Sequence, residues 1–148
     1  MSFIKYEVHV YSNKTKKWYL NGKLHREDGP AIESANGTKE WCLNGKLHRV
    51  DGPAIEYPDG AKEWCINGQR HRVDGPAIEK SNGTKAWWID GQLHREDGPA
   101  IEYPSGKKEY WVNGEPLTES EFNNRTKIKE LTIAEIQEAL GCKIKVIE

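Results

Sequence analysis

The sequence has no long apolar run, one methionine, two phenylalanines and an apolar fraction of only 36% over its 148 residues. No stretch approaches the roughly 20 apolar residues that a spanning helix needs, so a membrane location is not expected. Ile, Leu, Val and Phe are too sparse for a deep interior, which leaves a thin core and a one-layer or weakly two-layered build. Surplus charge of either sign is also missing, the formal net charge being -1. A general nucleic-acid binder, with its excess of Lys and Arg, is therefore not expected. The cysteines number three, an odd count. Cys42 and Cys65 hold one repeat position, and two strands apart at about 4.8 Å each they stand too far apart to bridge. Three free thiols, and no basic flank with an apolar run over residues 1–10, suggest a cytoplasmic protein.

What the sequence does have is a cassette repeated without insertion. Trp18, Trp41, Trp64, Trp87 and Tyr110 stand 23 residues apart, each followed by a glycine, from Gly22 to Gly114. His25, His48, His71 and His94 open runs written HRxDGPAIE. A repeat array offers the same chemistry several times over, whereas an enzyme needs one special cleft.

Each cassette holds two strand-like segments separated by a turn, such as Pro53 to Glu56 and Lys62 to Ile66 around Tyr57-Pro58-Asp59-Gly60. A two-residue turn would require the N–H that Pro58 lacks. A type I turn with Gly60 left-handed, as a bulge, accommodates the proline. The bulged register sets Glu56 opposite Lys62 and Ala54 opposite Trp64, while the other would oppose Glu56 to Glu63. Alternation then places Trp41, Leu43 and Ala31 on one face and Cys42, Glu40 and Ile32 on the other.

The predicted fold is mostly β: an elongated single-layer antiparallel meander of repeated hairpins over residues 1–116, with a small α/β capping module over 117–148. Ile4, Tyr6, Val8 and Val10 alternate as a degenerate first strand. Lys14 stands where later copies have glycine, and a lysine at positive φ costs on the order of 1 kcal/mol, so this first turn is expected to differ. Thr118 with Glu121, and Thr132 with Glu135, form two capping boxes that announce short helices. Cys142 to Ile147 alternates as an edge strand would.

The repeat length, the aromatic before Asn-Gly and the histidine three residues after that glycine resemble the MORN repeat, with Trp88, Asp90, Gly91 and His94 the closest match. Arg26, Arg49, Arg72 and Arg95 stand where that repeat has glycine, and an Asp-Gly-Pro-Ala follows. The chain also resembles HRxDGPA repeat proteins often encoded by large bacteriophages. The resemblance covers Lys16 to Pro116 and implies a meandering sheet that holds partners, without a catalytic residue or a cofactor. Among phage proteins of this kind it implies a modulator or inhibitor of a host factor, here a defence protein, acting in the host cytoplasm.

Several residues are candidates for a site. His48 as base with Asp51 as orienting acid is weighed and set aside, since no nucleophile recurs beside them. Stacked histidines are too far apart to share a metal ion. Arg49 and Arg72 belong to a row that could hold a phosphate-bearing ligand, such as a nucleotide second messenger or a phospholipid headgroup, with Trp88 and Trp111 as stacking surfaces. Those two tryptophans share a row with Tyr19, Cys42 and Cys65, and the C-terminal helices are expected to cover them. A second subunit is the alternative cover, a homodimer through an exposed aromatic face. Tyr57 and Tyr103, at alternate turn tips, are candidate anchors for a protein partner. The function expected from the sequence is a non-catalytic scaffold that binds another protein.

Overall fold

The computed structural model describes residues 5–129 together with Glu135, Glu138 and Gly141. Strand β1 (Glu7–Val10) pairs with β2 (Lys16–Leu20), and the meander then runs through Ile32–Glu33, Lys39–Glu40, Ile55–Glu56, Lys62–Glu63, Ile78–Glu79, Lys85–Ala86 and Ile101–Glu102 to Lys108–Val112 and Glu115–Leu117. With Lys23–Leu24 beside β2, this is one 12-stranded sheet in which sequential strands are neighbours. Such a ribbon is a mostly β, single-layer antiparallel meander of hairpins, as the sequence predicts.

The register is the bulged one. Glu56 lies opposite Lys62 and Ile55 opposite Glu63. Across the whole ribbon Lys16, Glu33, Lys39, Glu56, Lys62, Glu79, Lys85, Glu102 and Lys108 form an unbroken row of alternating sign. Slipping Lys39–Glu40 by one residue against Ile32–Glu33 would set Glu40 against Glu33 or Lys39 against Ile32, so this row helps lock the register of strands only two residues long. At each tip after the first the geometry is a type I turn with a left-handed glycine: Gly60 has φ +89, its N–H donates to Tyr57 O at 3.1 Å, and Tyr57 N–H donates to Ala61 O at 3.0 Å.

The strand is interrupted at Trp41, Trp64 and Trp87, where the chain leaves the ribbon to form a second, lateral hairpin. Cys42–Leu43 pairs with Lys46–Leu47 around Asn44-Gly45, whose φ values are +53 and +81, the two-residue turn that twisted hairpins favour. These hairpins are themselves stitched rung to rung, Gly45 N–H donating to Leu24 O at 2.8 Å and Gly68 N–H to Leu47 O at 2.8 Å.

The core is thin and periodic. Ala31, Ala54, Ala77 and Ala100 are 0% exposed. Extending the ribbon register by one residue sets each alanine between two large rings, as Trp64 N–H donating to Ala77 O at 2.8 Å and Trp41 N–H to Ala54 O at 2.8 Å indicate. Cys42 and Cys65 are buried free thiols, and burial pushes the Cys42 thiol up to about 11. Neither is poised as a nucleophile at neutral pH.

At the first turn, the expected departure does not occur. Lys14 takes φ +68 and closes the same two backbone bonds as its glycine counterparts, Lys14 N–H to Tyr11 O and Tyr11 N–H to Thr15 O, both 2.9 Å. The Asn13 side chain accepts from Thr15 N–H at 3.0 Å and helps hold the lysine there. Lys14→Gly is therefore expected to raise stability by about 0.5–1 kcal/mol, read as a higher urea midpoint at unchanged slope.

The first capping box forms as predicted. Thr118 N–H donates to Glu121 Oε2 at 2.7 Å and Glu121 N–H to Thr118 Oγ1 at 3.2 Å, starting helix α1 (Glu119–Lys129). The helix sets Phe122 against Tyr110, ring centroids 4.9 Å apart, and Glu119 accepts the Tyr110 hydroxyl at 3.0 Å. It thus stands on the last ring of the Trp18 column, while the expected cover of Trp88 and Trp111 by the C-terminal helices involves residues outside those described. The second capping box at Thr132, its helix, and the Cys142 to Ile147 strand lie outside the described residues.

Candidate functional site

The HRxDGPAIE corner explains itself from the arginine outward. The Arg49 guanidinium lies 4.0 Å from the centroid of the Trp41 ring, eight residues back along the chain. Its Nε donates to Asp51 Oδ1 at 3.0 Å, and Nη1 donates to Pro53 O at 3.3 Å and Glu56 Oε1 at 3.1 Å. Arg26, Arg72 and Arg95 repeat the stack, on Trp18, Trp64 and Trp87 at 4.2, 4.0 and 3.9 Å. The glycine that follows the aspartate is fixed by space: a Cβ on Gly52 would come within 2.9 Å of Arg49 Cζ, and on Gly75 within 3.0 Å of Arg72 Cζ. Each arginine is thus clamped between an indole face and a bare backbone.

This arrangement inverts the charge that the corner shows to solvent. The clamped arginine side chains are only 20% to 23% exposed, whereas Asp28, Asp51, Asp74 and Asp97 are 73% to 84% exposed. The arginine hydrogen bond holds the Asp28, Asp74 and Asp97 carboxyls below the usual carboxylate range. Arg49 and Arg72 are engaged internally, and the surface over them is acidic, which disfavours a phosphate-bearing ligand there.

The histidines are latches between rungs. Nδ1 of His25, His48, His71 and His94 accepts the backbone N–H of Asn44, Asn67, Asp90 and Asn113 at 3.1 to 3.2 Å. Each acceptor therefore serves the left-handed first residue of the next lateral turn, whose N–H would otherwise lack a partner. His48 and Asp51 bond to different groups and form no dyad. Among the described residues, no group of His, Cys, Asp and Glu is arranged to hold a metal ion.

One position of the corner differs between copies. The x of HRxDGPAIE is Glu27, Val50, Val73 and Glu96 in chain order. Val50 and Val73 are 82% and 83% exposed. Val50 lines a groove with Trp41, Leu43 and His48, and Val73 lines the next one, of about 650 Å³, with Trp64, Ile66 and His71. The two central corners thus present an apolar pair, and the two outer corners a carboxylate. Sequence reading passes over these valines because x looks like a free position in the motif. The signal was the order Glu, Val, Val, Glu, which places the apolar residues together at the middle of the array.

The other sequence candidates are placed as follows. Tyr57 is exposed, its hydroxyl donating to Glu63 Oε1 at 3.1 Å, while Tyr103 is half-buried and donates to Glu109 Oε1 at 3.1 Å. Both phenol hydroxyls are turned back onto the ribbon, and the Lys107 ammonium lies 5.1 Å from the Tyr103 ring centroid. Trp88 is half-buried with Arg70 5.3 Å from its ring centroid, and Trp111 is half-buried with its Nε1 donating to Glu109 Oε2 at 3.4 Å. Arginine and valine meet in the corner grooves; the tyrosines and Trp88 and Trp111 do not join them. Among the described residues, no helix is long and apolar enough to cross a membrane. No family model matches the chain, and no curated protein shows significant sequence similarity to it.

Proposed function

We propose that the chain is a non-catalytic, MORN-like repeat scaffold that binds another protein through its central corners. The observation that carries this reading is the pair Val50 and Val73, exposed on adjacent corners whose arginine, aspartate and histidine neighbours are bonded within the repeat array. An apolar centre with a charged surround is the usual anatomy of a protein-binding patch. Glu27, Glu96 and the exposed aspartates make the surround acidic, so the matching partner surface is apolar at its middle and basic at its margin. A phage-encoded modulator or inhibitor of a host defence protein, acting in the host cytoplasm, remains the reading that the HRxDGPA resemblance supplies for that partner. Homodimerisation through an aromatic face draws less support, because Trp88 and Trp111 are half-buried, with Arg70 beside the first ring and the second bonded to Glu109.

The test is recovery of partners from the native host by the wild-type chain and by a Val50→Glu, Val73→Glu variant. Burying two valines is worth about 3 kcal/mol, so the variant is expected to bind about 100-fold more weakly. Both side chains are solvent-exposed, so the melting temperature should stay within about 2 °C of wild type. Undiminished recovery by that variant would reject the central corners as the interface. A parallel Tyr57→Ala, Tyr103→Ala variant reads the turn tips separately.

A further inference from the structure

The two ends of the ribbon are finished differently. At the C-terminal end, the strand Glu115–Leu117 leads directly into α1, which packs against it. At the other end β1 has β2 as its one strand neighbour among the described residues, and none of those residues pairs with its far edge.

The direction of the open peptide groups follows from β2. Trp18 N–H donates to Ala31 O at 2.9 Å, away from β1, and Val8 lies directly opposite Trp18. Tyr11 N–H instead turns inward to Thr15 O. Peptide groups alternate along a strand, so Glu7 and His9 bond to β2 while Val8 and Val10 point N–H and C=O outward. Their side chains are exposed as well, Val8 at 46% and Val10 at 67%. Edge strands in stable monomers are commonly blunted by lysine, proline or a bulge, and β1, Glu7-Val8-His9-Val10, carries none of these.

We propose that β1 is a self-association edge that pairs antiparallel with β1 of a second copy about a two-fold axis through Val8. Of the registers that bring outward-pointing residues face to face, centring on Glu7 sets that carboxylate against its own copy. Centring on His9 sets that ring against its own copy, and centring on Val10 sets Val8 against a polar Ser12. Centring on Val8 sets valine against valine and places Glu7 opposite His9 of the second copy on both sides of the axis. Glu7 and His9 are already hydrogen-bond partners within one chain, Oε1 to Nε2 at 2.5 Å, so the same pair can be made across the axis. Pairing from Tyr6 to Val10 would add about six backbone hydrogen bonds.

The two-fold axis of such a pair is perpendicular to the sheet, so both copies turn the same face to the same side. The result is a continuous ribbon with two Val50 and Val73 patches on the order of 50 Å apart, at about 4.8 Å per strand. A partner that is itself multivalent would be held by avidity. The self-pairing does not depend on the protein-binding reading and survives its failure.

Sedimentation equilibrium on the full chain, from about 5 µM to about 0.5 mM, is expected to show a reversible monomer–dimer equilibrium. Val8→Pro removes an outward donor while sparing the ladder to β2, so it should abolish the dimer and leave circular dichroism and the melting temperature unchanged. Glu7→Lys should weaken the dimer about tenfold, and adding His9→Glu should restore it. Val50→Glu with Val73→Glu should leave it intact. A chain that stays monomeric throughout, or a dimer indifferent to Val8→Pro, overturns the proposal. Should the proline variant fail to fold, a charge exchange that does not restore pairing overturns it equally.

Discussion

Arg49→Ala is expected to lower stability by about 2–3 kcal/mol, and Gly52→Ala by about 1–2 kcal/mol, yet the two together should cost no more than Arg49→Ala alone. The arginine change removes a guanidinium seated 4.0 Å from the Trp41 ring centroid, worth about 1 kcal/mol at a half-buried site. It also removes the donors to Pro53 O and Glu56 Oε1, about another 1–2 kcal/mol after allowing for solvent around Glu56. The bond to Asp51 adds little, since that carboxylate is 84% exposed. Gly52 is outside the left-handed region, so alanine there meets no backbone strain of its own. Its Cβ would lie 2.9 Å from Arg49 Cζ and 3.1 Å from Nε, and the guanidinium can yield only by sliding off the indole or lengthening its bonds. The three atoms nearest that methyl group all belong to the arginine, so removing the side chain clears the closest contacts. Urea denaturation of the four variants closes the cycle, and additive costs would show that glycine is required at this position for some other reason.

The register and the corner were legible in the sequence to different degrees, for a physical reason. Register depends on local quantities: Pro58 lacks a donor, glycine accepts a left-handed turn, and Glu and Lys recur at offsets that a hairpin brings opposite. All of these can be read within about ten residues, and all of them appear in the ladder. The role of Arg49 depends on where the chain bends. Trp41 marks the change from ribbon to lateral hairpin, and that hairpin carries the next eight residues back until the guanidinium lies over the ring it started from. No alternation rule contains that fold-back, so an arginine row looks like a cationic surface until the bend is known. The histidine latch was hidden for the same reason, its donor, the Asn67 backbone N–H, lying 19 residues ahead on the next rung. The exposed valines were hidden differently. Nothing local marks them, and only comparison of the four corners shows that the two central ones differ.

Replacing Ala77 by leucine is expected to be the most damaging single change in the ribbon, costing about 3 kcal/mol and lowering the melting temperature by about 6–12 °C. Ala77 is 0% exposed. The register places it between Trp64, whose N–H donates to Ala77 O at 2.8 Å, and Trp87, one strand further on. Along this row rings and methyl groups alternate from Trp18 to Tyr110. Strands about 4.8 Å apart leave room for an indole beside every alanine only because the alanine takes almost none. An isobutyl group must displace one of the rings, and either displacement removes the seat of a guanidinium, Arg72 from Trp64 or Arg95 from Trp87. Strain therefore spreads to neighbouring rungs, because each unit in such an array is held chiefly by the next. Ala77→Gly supplies the control: it vacates space rather than filling it and should cost only about 1 kcal/mol, largely from chain entropy. Hydrogen exchange after Ala77→Leu should show amides on both flanking rungs, Trp64 and Trp87 among them, losing protection together. A leucine tolerated within about 1 kcal/mol would mean that the rings do not meet across the alanine, and the alternation of large and small would lose its role in holding the rungs in line.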